Sequence, residues 1–210
     1  MGAPVGTSTR IFVDFWNFQL NWNDRAEPDQ RCDWKKLPAV LLDQAREVLS
    51  QVGLEGSLDL EETLVHASVK MPSETRLKNW LENWLDKQPS YRVKVRERRV
   101  RPGGMWCNTC KRDILACPSC DTPLVRAPEK GIDAAIVTDL LTLAGESAFD
   151  VAILLTSDAD LVPAVERVQE KGLKVINATW AGHGHELAHT CWGHFKLDGV
   201  IARLARDDLP

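Results

Sequence analysis

The chain has 210 residues, 44% of them hydrophobic, and a formal net charge of −4. That length can bury a full core, and that composition excludes a disordered, collagenous or disulfide-stapled miniature. No apolar run approaches the roughly 20 residues of a membrane span, and the first residues lack the charged-then-apolar plan of a secretory signal. A cytoplasmic protein is expected, in a reducing compartment where cysteines bind metal more often than they form disulfides.

The charge is unevenly spread. From Lys87 to Lys130, eleven Lys or Arg stand against four Asp or Glu, a balance of +7, so the remainder carries −11. A basic insert on an acidic body points to a polyanionic partner held near carboxylates.

In chain order, residues 1–9 read as a loose end. Arg10 to Phe18 reads as a short apolar strand closing on Asp14, with Asn17 three residues later. A carboxylate at the end of a buried strand is costly unless it is paired, hydrogen-bonded or on a metal. Asn17 would orient it, donate to a phosphate, or only tie down the turn. Gln19 to Arg31 is polar and reads as a loop. Asp33 can cap a helix running to about Gln51, with Leu37, Val40, Leu41, Val48 and Leu49 on one face. Thr63 to Val69 reads as a strand in which His66 is a core or pairing residue.

Ser73 starts a helix whose Leu77, Trp80, Leu81, Trp84 and Leu85 follow helical spacing, and those tryptophans are most simply core. Trp16 and Trp22 lie nearer the first acidic turn, where stacking on a base competes with plain burial. Tyr91 to Val100 alternates: Tyr91, Val93 and Val95 point one way, and Arg92, Lys94 and Arg96, continued by Arg98, point the other. Such a row fits a phosphate backbone. An edge strand guarded by charge would look similar.

Cys107-Asn-Thr-Cys110 and Cys117-Pro-Ser-Cys120 form C-x2-C-x6-C-x2-C. Two such knuckles can complete a tetrahedral S4 site, so a structural Zn²⁺ is expected within an insertion at 102–128, bracing Lys111, Arg112 and Arg126. Lys130 to Leu143 reads as a helix with Ile132, Ile136, Leu140 and Leu143 as its buried stripe. Asp133 and Asp139 fall about 60° to either side of it. Lys130 would contact phosphate or pair on the surface.

Val151 to Leu155 is unbroken apolar, the pattern of a strand buried on both faces of a parallel sheet. It runs into Thr156-Ser157-Asp158-Ala159-Asp160 and then a helix marked by Leu161, Val165 and Val168. The carboxyl ends of strands form the ligand crevice of open α/β sheets. One Asp there would cap a helix; two beside hydroxyls invite a metal or phosphate. Leu173 to Ala178 is another strand, and Gly184 onward reads as a helix. His183, His185, His189, Cys191 and His194 crowd this end. The i, i+4 pair His185 and His189 suits a metal, or a histidine beside a phosphate.

Phe-Val-Asp14-Phe-Trp-Asn17, then Lys130-Gly-Ile-Asp133 with Asp139-Leu-Leu, then Thr-Ser157-Asp158-Ala-Asp160-Leu-Val-Pro resembles the NYN family of PIN-like nucleases. The blocks occur in the family's order and span nearly the whole chain. Two positions depart from the pattern. Thr-Ser-Asp-Ala-Asp replaces the common Ser-Gly-Asp-Ser-Asp, and His194-Phe195 stands where Asp-Phe is frequent.

The resemblance implies an α/β, Rossmann-like three-layer fold with a central, mostly parallel sheet over residues 8–205, and the cysteine motif adds a zinc-ribbon-like insertion to it. It implies a metal-dependent ribonuclease, a hydrolase leaving 5′-phosphate and 3′-hydroxyl ends. Asp14, Asp133, Asp158 and Asp160 would hold Mg²⁺ or Mn²⁺, with Asp139 nearby and Asn17 and Ser157 on the phosphate. Arg92, Lys94, Arg96, Arg98, Lys111, Arg112 and Lys130 would bind RNA, single-stranded above all, with DNA and a homo-oligomer left open. A phosphatase of the haloacid-dehalogenase type would need Asp-x-Asp, and Asp14-Phe15-Trp16 supplies one Asp. The rival of a different class is a catalytically silent RNA-binding regulator on the same fold.

Overall fold

The computed structural model describes residues 6–99, 101–126 and 131–207. Helices and strands alternate along it: β1 (Thr7–Asp14), α1 (Phe15–Arg25), α2 (Leu37–Ser50), β2 (Leu58–Met71), α3 (Thr75–Asn83) and β3 (Tyr91–Arg99). Four short strands follow, β4 (Arg101–Pro102), β5 (Met105–Cys107), β6 (Arg112–Ile114) and β7 (Val125–Arg126). The second half contains α4 (Ile132–Gly145), β8 (Val151–Leu155), α5 (Val162–Gln169), β9 (Lys174–Thr179), α6 (His185–Thr190), β10 (Gly193–Lys196) and α7 (Ile201–Leu204).

Six of the strands form one sheet in the order β10-β9-β8-β1-β2-β3. Every pairing in it is parallel. Parallel strands need helical crossovers that cover both faces, and the apolar alternation shows them. Ile11 and Val13 of β1 join α1, α2, α3 and α7 in one core, with Phe18, Leu41, Leu81 and Leu204. Phe12 faces the other way, into a second core with Ile136 and Leu140 of α4, Val165 of α5 and Leu187 of α6. All five residues of β8 are buried, as their apolar run predicts. Burying such side chains contributes about 1.5–3 kcal/mol each, more than any exposed ion pair at the sheet's rim.

Local structure departs from expectation in three places. The first strand ends at Asp14 and α1 follows without a loop. Asp14 accepts the Asn17 N–H at 3.1 Å, an N-cap, and Phe15, Phe18 and Trp22 then form a buried stripe. The polar residues 19–25 are the outer face of that helix, where polarity follows from solvent and not from a loop. Asp33 lies before α2: its carbonyl accepts the N–H groups of Lys36 and Leu37, and Pro38 occupies the helix's first turn. The edge strand β10 has no signal in the sequence, because its four residues bury only Phe195.

The zinc-ribbon-like insertion is also corrected. The segment holds two short antiparallel ladders, β4 with β7 and β5 with β6. Among the described residues no three His, Cys, Asp or Glu side chains gather where they could hold a metal ion, so the Zn²⁺ expected on Cys107, Cys110, Cys117 and Cys120 does not fit. Each knuckle closes on itself. Cys107 Sγ accepts the Cys110 N–H at 3.5 Å, which lowers its thiol pKa, and the Cys120 thiol meets Thr122 Oγ1 at 3.2 Å, which lowers its own. All four thiols are free. No described helix is long and apolar enough to cross a membrane.

Candidate functional site

The carboxyl ends of β1, β8 and β9 meet at one rim, where the chain's polar signals converge. Asn17, in the first turn of α1, accepts the Ser157 N–H on its side-chain oxygen at 3.1 Å. Ser157 Oγ lies 3.1 Å from Thr179 Oγ1 at the end of β9. Thr179 gives its only hydroxyl proton to the His183 carbonyl at 3.2 Å, so Ser157 is the donor in that pair. Beneath them the buried Asn177 amide donates to the carbonyls of Leu154 and Thr156 at 3.1 and 2.9 Å. Asn17 and Ser157, expected on a phosphate, here bond to each other, and the loop after β8 is locked to α1 and β9.

Gly184 completes this knot. It sits at φ +62°, and a Cβ there would lie 2.9 Å from both Ser157 Cα and Thr179 Oγ1. Gly184→Ala is expected to cost about 1–2 kcal/mol from left-handed strain alone. Urea unfolding checks this: the midpoint should fall with an unchanged slope. A wild-type midpoint would mean the loop relaxes freely.

The expected acidic cluster does not assemble as a metal site. Among the described residues no group of three or more His, Cys, Asp or Glu is arranged to hold an ion. This overturns the expectation of Mg²⁺ or Mn²⁺ on Asp14, Asp133, Asp158 and Asp160, and with it the metal-dependent ribonuclease and hydrolase readings. The carboxylates have other work. Asp14 caps α1, and Asp158 accepts the Asp160 N–H at 2.9 Å, capping the 3-10 turn Ala159–Leu161. Asp160 is exposed, and Asp133 lies half-buried in the first turn of α4.

Asp139 shows the cause best. Both of its oxygens accept from Lys94 Nζ at 2.7 Å. His66 Nε2 lies 3.2 Å from Oδ2. A carboxylate neutralised by an ammonium offers little to a divalent cation. Sequence reasoning placed Lys94 in an RNA-binding row and His66 in the core, and had no means of joining them to α4. His66 is 1% exposed, and neither ring nitrogen completes a hydrogen bond. Burial lowers its pKa to about 4; the Asp139 charge opposes that shift and the Lys94 and Arg96 charges reinforce it.

The basic row does lie on one edge of the sheet. Tyr91, Val93 and Val95 pack into the first core, and β3 is the last strand of the order. Arg92 Nε meets Glu62 at 2.9 Å with its side chain 60% exposed, and Arg98 meets Glu74 at 3.3 Å. Arg96, Lys111 and Arg112 are exposed. Lys130 lies outside the described residues. At the other end of the chain His185, His189 and His194 line up with ring centroids 6.4 and 6.2 Å apart, and among the described residues they form no metal-binding group. A cleft of about 420 Å³ lined by Thr7, Leu58, Val151 and Lys174 opens at the amino ends of the strands, away from all of these groups.

Comparison with known proteins bears on the fold. A family model described as the NYN domain matches residues 8–198. No curated protein matches the sequence. A crystal structure of a protein of unknown function from Vibrio parahaemolyticus is similar at 14% identity and a TM-score of 0.56, covering 94% of this chain and 96% of that one. That likeness shows a shared fold. A structure of Sir2 enzymes aligns over 95% of this chain and 90% of that one at 11% identity, with a TM-score of 0.35 too low to carry an argument.

Proposed function

This chain belongs to the NYN domain family, and from that premise we propose that it is a catalytically silent RNA-binding regulator that engages single-stranded RNA in the cytoplasm. One contact carries the reading. Lys94 Nζ, 2.7 Å from both Asp139 oxygens, belongs to the basic row and neutralises a carboxylate expected beside the metal centre. The same contact removes acidic charge from the surface that a phosphate backbone would follow. The neighbouring Arg92, Arg96 and Arg98 then form a cationic track along an open sheet edge. Arg92 has an ion-pair partner in Glu62, but its side chain is 60% exposed and such a pair contributes only about 0–1 kcal/mol, so a phosphate can replace the carboxylate there at little cost. Arg98 is largely buried, paired with Glu74 and set over the Trp16 ring at the inner end of the track.

The test is binding of labelled oligouridine over a salt series, with Mg²⁺, with Mn²⁺ and with EDTA, followed by a denaturing gel. Salt-sensitive binding that ignores EDTA, with the RNA recovered intact, is expected. Metal-dependent cleavage lost in Asp158→Asn would overturn the silent reading. No binding would overturn the RNA reading itself.

A further inference from the structure

A cleft unrelated to the acidic residues lies between α1, the loop that follows it, α3 and the end of the chain. One part, about 420 Å³, is lined by Trp16, Arg31, Trp34, Trp80 and Arg206 among others. An adjoining part of about 500 Å³ shares Trp34, Trp80 and Arg206 and extends to Lys35 and Trp84. The aromatic rings are in continuous contact. Phe15 joins Trp16 (5.2 Å between centroids) to Trp34 (5.6 Å), Trp34 meets Trp80 at 5.9 Å, and Trp80 stacks on Trp84 at 5.4 Å and 20°. Trp84 is 37% exposed, the open end of this series.

The walls are braced. Trp22 Nε1 donates to the Gln30 carbonyl at 3.0 Å, which holds the loop after α1. The Arg206 N–H donates to the Arg31 carbonyl at 2.9 Å, and the Asp33 N–H to the Leu204 carbonyl at 2.7 Å, lashing the chain's end to that loop. A cleft built in advance loses little ordering entropy when it is filled.

Its charge selects the occupant. Arg98 stands 5.7 Å over the Trp16 ring and Lys35 5.7 Å over Trp84, one cation at each end of the aromatic series. Arg31 and Arg206 lie on the lining between them, and Asp33 is the acidic side chain on the described lining. Flat apolar rings bordered by cations suit a base with its phosphate, since every base has a face to stack and a charge beside it. A peptide anchor would find rings but no use for three cations on the lining, Lys35, Arg31 and Arg206.

We propose that this tryptophan cleft binds an unpaired nucleobase of single-stranded RNA, with Trp80 and Trp84 as the stacking surface and Arg31 and Arg206 on the flanking phosphates. The site rests on the RNA-binding reading and adds a discrimination that a basic strand alone cannot supply. Phosphate contacts hold single and double strands alike, whereas a base inside a duplex cannot enter the cleft.

The experiment uses the full chain with oligouridine carrying 5-iodouridine, irradiated and mapped by mass spectrometry, alongside affinities for oligouridine and for an RNA duplex of equal length. Crosslinks at Trp80 or Trp84 are expected. Trp84→Ala should weaken oligouridine binding about 10-fold and leave duplex binding unchanged, and Trp84→Phe should keep most of the affinity. Arg206→Ala, which leaves every ring in place, should lose a few-fold on the same substrate. Wild-type affinity in Trp84→Ala and Arg206→Ala, with crosslinks confined to β3, would overturn the cleft and leave RNA binding standing. An unmodified chain that binds neither RNA would sink both.

Discussion

Replacing Arg92, Arg96 and Arg98 together by glutamine is expected to weaken single-stranded RNA binding about 50-fold at physiological salt. Each phosphate neutralised on a single strand contributes about 0.7 to the slope of log affinity against log salt, so three lost contacts flatten that slope by about 2. The fold should persist. Arg92 gives up an exposed pair to Glu62 and Arg98 a largely buried one to Glu74, which lowers stability somewhat, while the strand's inner residues Tyr91, Val93 and Val95 keep their packing. Lys94 is left in place because its loss would strand the Asp139 carboxylate beside the buried His66. Fluorescence anisotropy across a KCl series gives both numbers. A triple variant with the wild-type slope would show that RNA follows another surface.

The second large effect is acid sensitivity centred on His66. Its ring is buried and held neutral, with a pKa lowered to about 4 from an ordinary 6.5. Between those values the unfolded chain takes up a proton that the folded chain refuses. Stability is therefore full above about pH 6.5, falls by about 1.4 kcal/mol per pH unit below it, and has lost about 3 kcal/mol by pH 4. The carboxylate of Asp139 at 3.2 Å softens the penalty, and the Lys94 and Arg96 charges sharpen it. Urea unfolding at pH 7 and pH 4.5 measures the loss. His66→Leu should remove most of the difference between the two conditions, since leucine has no proton to gain. An unchanged difference in the variant would assign the acid sensitivity to other groups.

Lys94 joins two parts of the chain that sequence reading treats separately. In the sequence it is one cation in an alternating strand, and Asp139 is one acid beside a helical stripe. Packed, β2 places His66 opposite Lys94 in register, and α4 crosses above them. The carboxylate expected beside a metal is then paired with a neighbouring ammonium. Asp14 and Asp158 are similar cases. Each lies at the strand end where a metal ligand is expected, and each accepts a backbone N–H that starts a helical turn. Residue type and order match a nuclease pattern, but a metal site also requires convergence within a few ångströms, which the order of residues does not specify.

The tryptophans divide along the same line. Trp22 is fully buried, as the simpler reading of an aromatic residue on a helix has it, whereas Trp84 is partly open at the mouth of the cleft. Helical spacing correctly placed Trp80 against the core, but Trp84, expected there too, follows the end of α3 and is exposed. Spacing could not show where α3 ends.

What the sequence determined by itself is the alternation of helix and strand, the burial of β8, the two-faced packing of the sheet and membership of the NYN domain family. These follow from periodicity, because a side chain's partition from water is imposed residue by residue and leaves its period in the chain. Only the tertiary structure decided that Asp139 pairs with Lys94, that the cysteine knuckles stay apart, and that α1, α3 and Arg206 enclose a cleft. Those are distances between segments far apart in sequence. They are set by how helices settle on a twisted sheet, and a change of a few ångströms there separates a metal cluster from a set of capped and paired carboxylates.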